Sequence, residues 1–472
     1  MPGGGGWVYR AGLDVPNSFP RVVVSPDGQH WAVAAWCKSG GNERLGIVHG
    51  AGLSRGGNDL VARVAGPSHV AGRVVDRLET SISVNSAGQV AYAGSITGST
   101  TDDQFVVRWA AGLATEWARE GQQVPGTASG VQYGDIIDGT SIAESGAVTA
   151  RAFLAGAGNG HVWLRLASPT AGVVLAQTGV TTPWAQLAQP PQPVSGLVFD
   201  RCAADQSGSS SFLRVTLGGP STTDQAATFS GGVVAQEGVV LPGSPFAVGV
   251  MYLAPQRWGL ALSPGGGHWG LLGSNFDYQD WAQVDGVMIA RTGDAVEPGS
   301  AEVFDDNTYA YTFRGIAVND SGSVVLAGRT AGNDDVIALA GDRVLLRSGD
   351  AVDIDADGLP DDDLYVNEVG EGSVWFTADQ RLFAVVTLVN GANSLRGVAF
   401  ITLDARQCGD VDFNNDGLFP DTQDIADFLG VFAGAACPTG GCDGVDFNRD
   451  GLFPDTDDIG AFLRVFGGGG CP

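Results

Sequence analysis

The chain has 472 residues, of which 44% are hydrophobic, and carries 52 acidic against 25 basic side chains, a net charge of −27. The hydrophobic content excludes general disorder. The negative charge disfavours nucleic acid and anionic membranes as partners, because both attract basic surfaces, and it favours divalent cations. No run of about 18 apolar residues predicts a membrane span.

Two glycine-containing signals alternate along residues 1–403. The first is an apolar run followed by Arg or Gln, one further residue and Gly, as in Trp117-Ala-Arg-Glu-Gly121. The second is a turn followed by an alternating strand, as in Ser25-Pro-Asp-Gly28 and Asn85-Ser-Ala-Gly88. Each signal occurs seven times at a period of about 54–62 residues, counting a looser copy of the first and a degenerate last copy of the second.

A unit of this length holds about four short strands, which in the second unit we predict at 81–84, 90–96, 105–109 and 114–119. Seven such units in series predict a seven-bladed β-propeller, because each blade buries its faces on its neighbours. Six or eight blades, or two β-sandwiches, are the alternatives. We expect strand 7–10 to pair with 398–402 of the last blade and so to close the ring.

One position of the repeat, the Arg or Gln of the first signal, is occupied by Arg or Gln in every unit. We call this set of residues the Arg/Gln column. A ring of ligands around a central channel is one interpretation. We prefer a role in the framework of the repeat, with hydrogen bonds to the backbone of a neighbouring blade, because catalytic residues would occur in one or two units only. The column consists of Arg10, Arg63, Arg119, Gln177, Gln236, Arg291 and Arg347.

No catalytic constellation is found in the repeats. Five histidines lie in different units and form no spaced metal pair, and no nucleophile-elbow sequence occurs. A carboxylate pair such as Asp305 and Asp306 suits a glycosidase, which needs two carboxyl groups at one bond. Turns of Gly-rich repeats often hold such pairs, so we expect no catalytic residue there. The histidines are His30, His49, His69, His161 and His268.

An acidic segment at 353–363, between the sixth and seventh units, has Asp at positions 1, 3 and 5 and Gly at position 6. It resembles the short calcium repeats of extracellular proteins, and these positions suit one calcium ion. Position 12 is Leu364, so the closing ligand is Asp363 or lies elsewhere. We expect a third calcium ion that pins a loop on the propeller rim; a solvated acidic loop is the alternative. The candidate ligands are Asp353, Asp355, Asp357, Asp361 and Asp363.

The C-terminal residues contain nearly the same segment twice, beginning at Asp412 and again at Asp446. Each copy has oxygen side chains at positions 1, 3 and 5, and a glycine at position 6 that permits a sharp turn around a hard cation. An apolar stripe with helical spacing follows each loop. The stripes are Ile425, Phe428, Leu429 and Phe432, and Ile459, Phe462, Leu463 and Phe466.

These two loop–helix units resemble the dockerin type I module of secreted bacterial proteins over residues 408–472. The resemblance implies two calcium ions and docking onto a cohesin-like protein or cell-surface component. The usual loop closes with a carboxylate at position 12, whereas these loops place Asp424 and Asp458 at position 13, and Asp421 and Asp455 at position 10 replace the usual ninth ligand. The expected ligands are Asp412, Asn414, Asp416, Leu418, Asp421 and Asp424, and Asp446, Asn448, Asp450, Leu452, Asp455 and Asp458.

Four cysteines bracket the two loops, and the two cysteines of each copy have the same spacing. Their three possible pairings stay open. Zinc is disfavoured, since the module has no histidine. Disulfides in a small acidic module indicate an extracellular or cell-surface location. The first residues lack the basic start and apolar run of a signal peptide, so we expect the sequence to begin inside a longer or processed precursor. The candidates are Cys408, Cys437, Cys442 and Cys471.

The sequence therefore predicts a mainly β protein with a propeller over 1–403, a linker at 404–407 and a small α-helical, dockerin-like domain at 408–472. The repeats resemble those of uncharacterised secreted bacterial proteins that join a propeller to such a tail. We expect a non-enzymatic extracellular protein whose propeller binds a protein or glycan. The alternative is a polysaccharide-degrading enzyme, a glycoside hydrolase or lyase, tethered through its dockerin.

Overall fold

The computed structural model divides into two compact units, Met1–Ala378 with Phe383–Ile401, and Asp379–Leu382 with Thr402–Pro472. Its described residues form 28 β-strands and two α-helices. The residues that the structure describes are 8–9, 21–39, 42–52, 58–184, 191–205, 209–244, 247–249, 259–275, 279–305, 312–352, 363–377, 381–392, 395–404, 411–414, 421–436, 445, 447 and 456–467.

Seven antiparallel sheets follow one another along the chain, and each takes its strands from one continuous stretch of sequence. The first sheet contains β1 (Val8–Tyr9), β2 (Arg21–Val24), β3 (His30–Ser39), β4 (Asn42–Ala51) and β5 (Asp59–Arg63). The second contains β6 (Val75–Val84), β7 (Val90–Ile96), β8 (Gln104–Ala110) and β9 (Leu113–Arg119). The third contains β10 (Val131–Ile142), β11 (Val148–Gly156), β12 (His161–Ser168) and β13 (Ala171–Gln177).

The remaining four sheets repeat this order of pairing. The fourth contains β14 (Val194–Ala204), β15 (Ser211–Leu217), β16 (Gln225–Phe229) and β17 (Gly232–Gln236). The fifth contains β18 (Leu260–Leu262), β19 (Trp269–Ser274), β20 (Asp280–Val284) and β21 (Val287–Arg291). The sixth contains β22 (Phe313–Val318), β23 (Val324–Arg329), β24 (Asp335–Leu339) and β25 (Arg343–Arg347), and the seventh contains β26 (Tyr365–Phe376), β27 (Arg381–Val389) and β28 (Leu395–Asp404).

The first strands of successive sheets lie against each other and close a ring. β2 contacts β6, β6 contacts β10, β10 contacts β14, β14 contacts β18, β18 contacts β22, β22 contacts β26, and β26 contacts β2 again. A closed ring of seven antiparallel sheets is a seven-bladed β-propeller. The structure thus confirms the predicted mainly β fold and its number of blades.

The expected pairing of strand 7–10 with the last blade is wrong. β1 pairs with β3 of the first blade, with Val8 opposite Lys38 and Tyr9 opposite Cys37. The reason is the length of β3: β2 pairs only with its part Trp31–Ala34. The rest of the same edge of β3 is therefore left for β1, and the two short strands together take the innermost place of this blade.

The strands of the second blade agree with those predicted, except that β6 begins six residues earlier. The pairing of β6 with β7 has two register shifts, one between Val75 and Arg77 and a longer one between Leu78 and Ile82. Such a bulge bends the strand and increases its twist. The alternating pattern stops at the longer shift, which is why the sequence indicated only the stretch that follows it.

Apolar side chains fill the spaces between neighbouring blades. Ala32 and Ile47 of the first blade belong to one buried cluster with Ile82 and Phe105 of the second. The central strand β7 is buried at every position. Each blade is therefore stabilised on both faces by its neighbours, as a propeller requires.

The second unit contains two short helices, α1 (Thr422–Phe432) and α2 (Thr456–Phe466). Both follow the predicted loops and include the predicted apolar stripes. Over the part of the chain that the structure describes, no helix has the length and apolar character needed to cross a membrane.

Candidate functional site

Helix α1 begins with a capping box formed by two of the predicted ligands. Asp421 is the N-cap, and its Oδ1 accepts hydrogen bonds from the backbone N–H groups of Gln423 at 2.7 Å and Asp424 at 3.3 Å. In return, Asp424 Oδ2 accepts from the backbone N–H of Asp421 at 3.0 Å. These bonds satisfy N–H groups that the first turn of a helix leaves unpaired.

The third residue of each helix is a fully buried aspartate. Asp424 in α1 and Asp458 in α2 are both 0% exposed and occupy the same position in the two copies. Asn414 of the first loop is also buried; its backbone N–H lies 3.5 Å from Asp424 Oδ1, and its Nδ2 donates to Asp427 at 3.0 Å. Asp412 is partly buried. The structure thus brings together one end of the first loop and the start of α1.

The Asp421–Asp424 spacing accounts for the unusual loop length. Positions 9 and 12 of a usual calcium loop are three residues apart, as are positions 10 and 13 here. The additional residue therefore lies before the helix, and Asp424 keeps the place that the closing carboxylate has in the usual helix. Its two hydrogen-bond donors in the described residues are backbone N–H groups. A buried carboxylate of this kind, beside a loop rich in oxygen ligands, fits calcium.

Four fully buried phenylalanines belong to the core of the second unit, and sequence analysis identified only two of them. Phe413 and Phe447, which follow the first Asp of each loop, are 0% exposed, like Phe428 and Phe462. Phe413 meets Phe428 edge to face at 5.3 Å, and Phe447 meets Phe462 likewise at 5.0 Å. The signal for Phe413 and Phe447 was their identical position in both copies.

Most other predicted ligands and all candidate disulfides lie outside the described residues. Asp363 is described and exposed, and its Oδ1 accepts a hydrogen bond from the backbone N–H of Gly391 at 3.0 Å. Outside the described residues lie Asp353, Asp355, Asp357, Asp361, Asp416, Leu418, Asp446, Asn448, Asp450, Leu452, Asp455, Cys408, Cys437, Cys442 and Cys471.

The Arg/Gln column of the propeller lies at the ends of the outermost strands. From Arg63 to Arg347, each described member ends the last strand of its blade, far from the innermost strands that line the axis. Arg119 Nε donates to Glu116 at 2.7 Å, and Arg347 Nη1 donates to Glu302 at 3.1 Å. Gln236 Nε2 donates to the backbone carbonyl of Thr223 in its own blade at 2.8 Å. These bonds of three members are not the expected bonds to the backbone of a neighbouring blade.

In the fifth and sixth blades, the first residue of the third strand is an aspartate that makes a bond to the next blade. Asp335 Oδ2, at the start of β24, accepts from the backbone N–H of Val369 in the next blade at 3.0 Å and from Arg314 Nη1 at 2.6 Å. Asp280, at the start of β20, accepts from the backbone N–H of Thr312 at 2.6 Å. Both aspartates are buried. Sequence analysis missed this role, because a strand's first residue carries no distinct signal.

Two carboxyl pairs occur at equivalent places in the second and fourth blades. The backbone N–H of Glu120 donates to Gln104, and that of Glu237 donates to Gln225. Burial, together with the neighbouring Asp103 carboxyl group, raises the pKa of Glu120 to about 7. Burial and Asp224 raise the pKa of Glu237 in the same way. Their recurrence favours a structural role over catalysis.

The residues considered for glycosidase chemistry give no catalytic pair within the described part of the chain. Asp305 is buried, and its backbone carbonyl accepts from Thr312 Oγ1 at 2.7 Å, while Asp306 lies outside the described residues. Among described residues, no group of three or more His, Cys, Asp or Glu side chains is placed to hold a metal ion.

Comparison with known proteins gives a match to one family. Residues 21–252 match DUF7453, a family of unknown function. The matched segment includes β2 to β17, which are all strands of the first four blades except β1. No curated protein matches the sequence.

Three solved structures show the range of weak structural likenesses. TolB from Acinetobacter baumannii has a TM-score of 0.32 and 13% identity, over 58% of this chain and 53% of that one. A putative 6-phosphogluconolactonase from Bacteroides uniformis has a TM-score of 0.31 and 12% identity, over 69% and 86%. AofleA from Arthrobotrys oligospora has a TM-score of 0.31 and 12% identity, over 69% and 84%. The chain thus spans about half the length of TolB, and none of these scores supports an argument about function.

Proposed function

We propose that this is an extracellular, non-enzymatic binding protein, in which a calcium-stabilised, dockerin-like tail docks onto a cohesin-like protein or cell-surface component. The propeller presents a binding surface for a protein or glycan. The observation that carries the proposal is the complete burial of Asp424 and Asp458 at the same place in the two copies.

Burial of the Asp424 carboxylate favours a compensating positive charge beside it. An ionised carboxylate transferred from water to a protein interior costs many kcal/mol unless it is paired or coordinates a metal. Both described contacts of the Asp424 carboxylate are neutral N–H groups. Aspartates far outnumber arginines in the segment 406–472, which has no lysine, so the tail has an excess of negative charge. Two calcium ions would supply positive charge and accept oxygen ligands in flexible geometry.

The exposed faces of the two helices support a docking role. Leu429 in α1 is 41% exposed and Leu463 in α2 is 48% exposed, while the other faces of the helices pack on the phenylalanine core. The two leucines are equivalent positions of the two copies, so the duplicated sequence presents the same apolar side chain twice. Exposed apolar side chains of this kind are candidates for contact with a protein partner.

Three further parts of the proposal depend on residues outside the described chain. We place a third calcium ion at 353–363, where the described Asp363 would be one ligand. Disulfides among Cys408, Cys437, Cys442 and Cys471 would fit the extracellular location. The propeller's own ligand is a protein or glycan whose identity the described residues do not specify.

Calcium binding is tested by thermal unfolding of the full chain with excess calcium, with excess magnesium and with a chelator. We expect calcium to raise the melting temperature of the tail, because a ligand of the folded form alone stabilises it. The double variant Asp424→Asn/Asp458→Asn should lose this response. The matched control, Asp320→Asn/Asp334→Asn, removes two exposed charges from the propeller and should keep it.

Docking is tested in the same preparations by a pull-down from the source culture, with and without chelator. Recovery of a partner only in calcium, and only with the tail present, supports the proposal. An unchanged calcium response in the Asp424→Asn/Asp458→Asn variant would refute the ligand assignment. The full chain is also assayed for cleavage of polysaccharides. Hydrolysis or eliminative cleavage by its propeller (residues 1–403) would refute the non-enzymatic role.

A further inference from the structure

Two of the five histidines, which the sequence places in separate strands, meet at one end of the first blade. His30 Nδ1 lies 3.1 Å from His49 Nε2. The hairpin of β3 and β4 explains the contact, because Ala32 lies opposite His49 and His30 opposite Ala51. The two histidines are therefore diagonal neighbours on one face of the sheet. The expectation that the five histidines lie in different units is wrong for these two, because both belong to the first blade.

The surroundings of His49 fix the direction of its ring. His49 is 7% exposed, and its ring lies 5.2 Å from that of Trp109 in the second blade. Its Nδ1 lies 3.7 Å from Asp59 Oδ2. This separation is too long for a hydrogen bond, but the negative charge on this side favours a proton on Nδ1. The Nε2 atom, which faces His30, would then carry the lone pair that can bind a metal.

A glycine of the second blade leaves space beside the two nitrogens. Gly88 has a φ of +69° and ends the turn between β6 and β7. A Cβ atom at this position would lie 2.9 Å from His30 Nδ1 and 3.2 Å from His49 Nε2. The same Cβ atom would lie 2.9 Å from His30 Cε1, so any other residue would crowd the edges of both rings at the junction of the first and second blades.

We propose that His30 and His49 bind a divalent transition-metal ion, with Zn²⁺ as the representative, at this junction. Imidazole nitrogens are the preferred protein ligands of such ions. Two nitrogens bound tetrahedrally to one zinc ion at about 2.0–2.1 Å lie roughly 3.3 Å apart, close to the observed separation. The described residues provide no third such ligand, and water would complete the coordination. This site differs in ligand chemistry from the oxygen-rich loops of the tail.

The test is calorimetric titration of the full chain with Zn²⁺ in excess calcium, so that the proposed calcium loops are saturated. We expect the wild type to bind one zinc ion that His30→Gln loses or binds at least about tenfold more weakly. His30 is partly exposed, so this variant should fold.

The matched control is His268→Gln. Ser263 Oγ accepts from the backbone N–H of His268 as Ser25 Oγ does from that of His30, but His268 pairs with Asp285 instead of a second histidine. This variant should bind zinc like the wild type. Equal zinc binding in the wild type and His30→Gln would overturn the proposal and leave an N–H···N hydrogen bond as the role of the pair.

A measurement on the wild type alone is independent of the variants. Electron paramagnetic resonance of bound Cu²⁺ should show hyperfine splitting from two imidazole nitrogens. A spectrum with oxygen ligands only would contradict the proposed site.

Discussion

The rings of Phe428 and Phe462 stack face to face, with centroids 4.2 Å apart and 3° between their planes. The two residues are equivalent positions of the duplicated C-terminal segment, so each copy places its phenylalanine against its own counterpart. The cross contacts are also paired, since Phe413 meets Phe462 and Phe428 meets Phe447 edge to face. The two copies consequently form one core, and neither helix is buried without the other.

Removal of one ring should destabilise both helices together. Phe428→Ala is expected to lower the free energy of unfolding of the second unit by about 3–5 kcal/mol, because it opens a cavity in a small core. Hydrogen exchange of the full chain, read at α1 and α2, measures the effect. The neighbouring Leu429→Ala, at a 41% exposed side chain, should cost less than about 1 kcal/mol. Unchanged protection of α2 in Phe428→Ala would show that the copies are independent.

The buried Asp335 should contribute far more to the stability of the propeller than the exposed Asp334 beside it. Asp335→Ala leaves the Arg314 guanidinium and the Val369 N–H without their acceptor, so we expect a loss of about 3–5 kcal/mol in propeller stability. The control Asp334→Ala changes an exposed side chain and should cost less than about 0.5 kcal/mol. Chemical denaturation of both variants measures the difference. Equal midpoints would show that the bond between blades contributes little.

The Glu120 carboxyl group should make propeller stability depend on pH. Its pKa is about 7 in the folded chain against a usual 4.5, so the folded state keeps a proton that the unfolded state has released. The free energy of unfolding must then fall as the pH rises from about 4.5 to about 7. The fall should stay well below about 3 kcal/mol, because solvent screens a carboxyl pair near the surface. Glu120→Gln should make this fall smaller and leave the contribution of Glu237, as measured by denaturant unfolding between pH 4.5 and 7.

Asp102→Asn is the control for this pH effect. Two hydrogen bonds from the Arg73 guanidinium lower the pKa of Asp102, so its titration lies below this pH range. This variant should keep the slope of the wild type. A wild-type stability that does not change between pH 4.5 and 7 would contradict the raised pKa of Glu120.

The two exposed leucines of the tail should decide docking without affecting calcium. Leu429→Ser/Leu463→Ser removes both apolar anchors but leaves the buried core and the aspartates in place. We expect partner recovery in the pull-down to fall at least about tenfold, as at an interface hot spot. The calcium-induced rise in melting temperature should stay the same. Full recovery of the partner by this variant would place the docking surface elsewhere on the tail.

The sequence by itself determined the seven blades, the duplicated loop–helix segment and the two helices that follow its loops. These features depend on local signals: glycine turns at a regular period, alternating strands, and apolar stripes with helical spacing. Such signals act over a few residues, so they are visible without knowledge of the fold. The phenylalanines at 413 and 447 were visible only as identical positions in two copies.

Only the tertiary structure decided which distant residues meet. β1 joins β3 because β2 leaves part of that edge free, and Asp335 reaches Val369 because ring closure sets neighbouring blades side by side. His30 and His49 meet through the register of one hairpin, beside a glycine of the next blade. Each contact depends on a register or a neighbour that the repeat pattern leaves unspecified, since the same pattern permits several pairings.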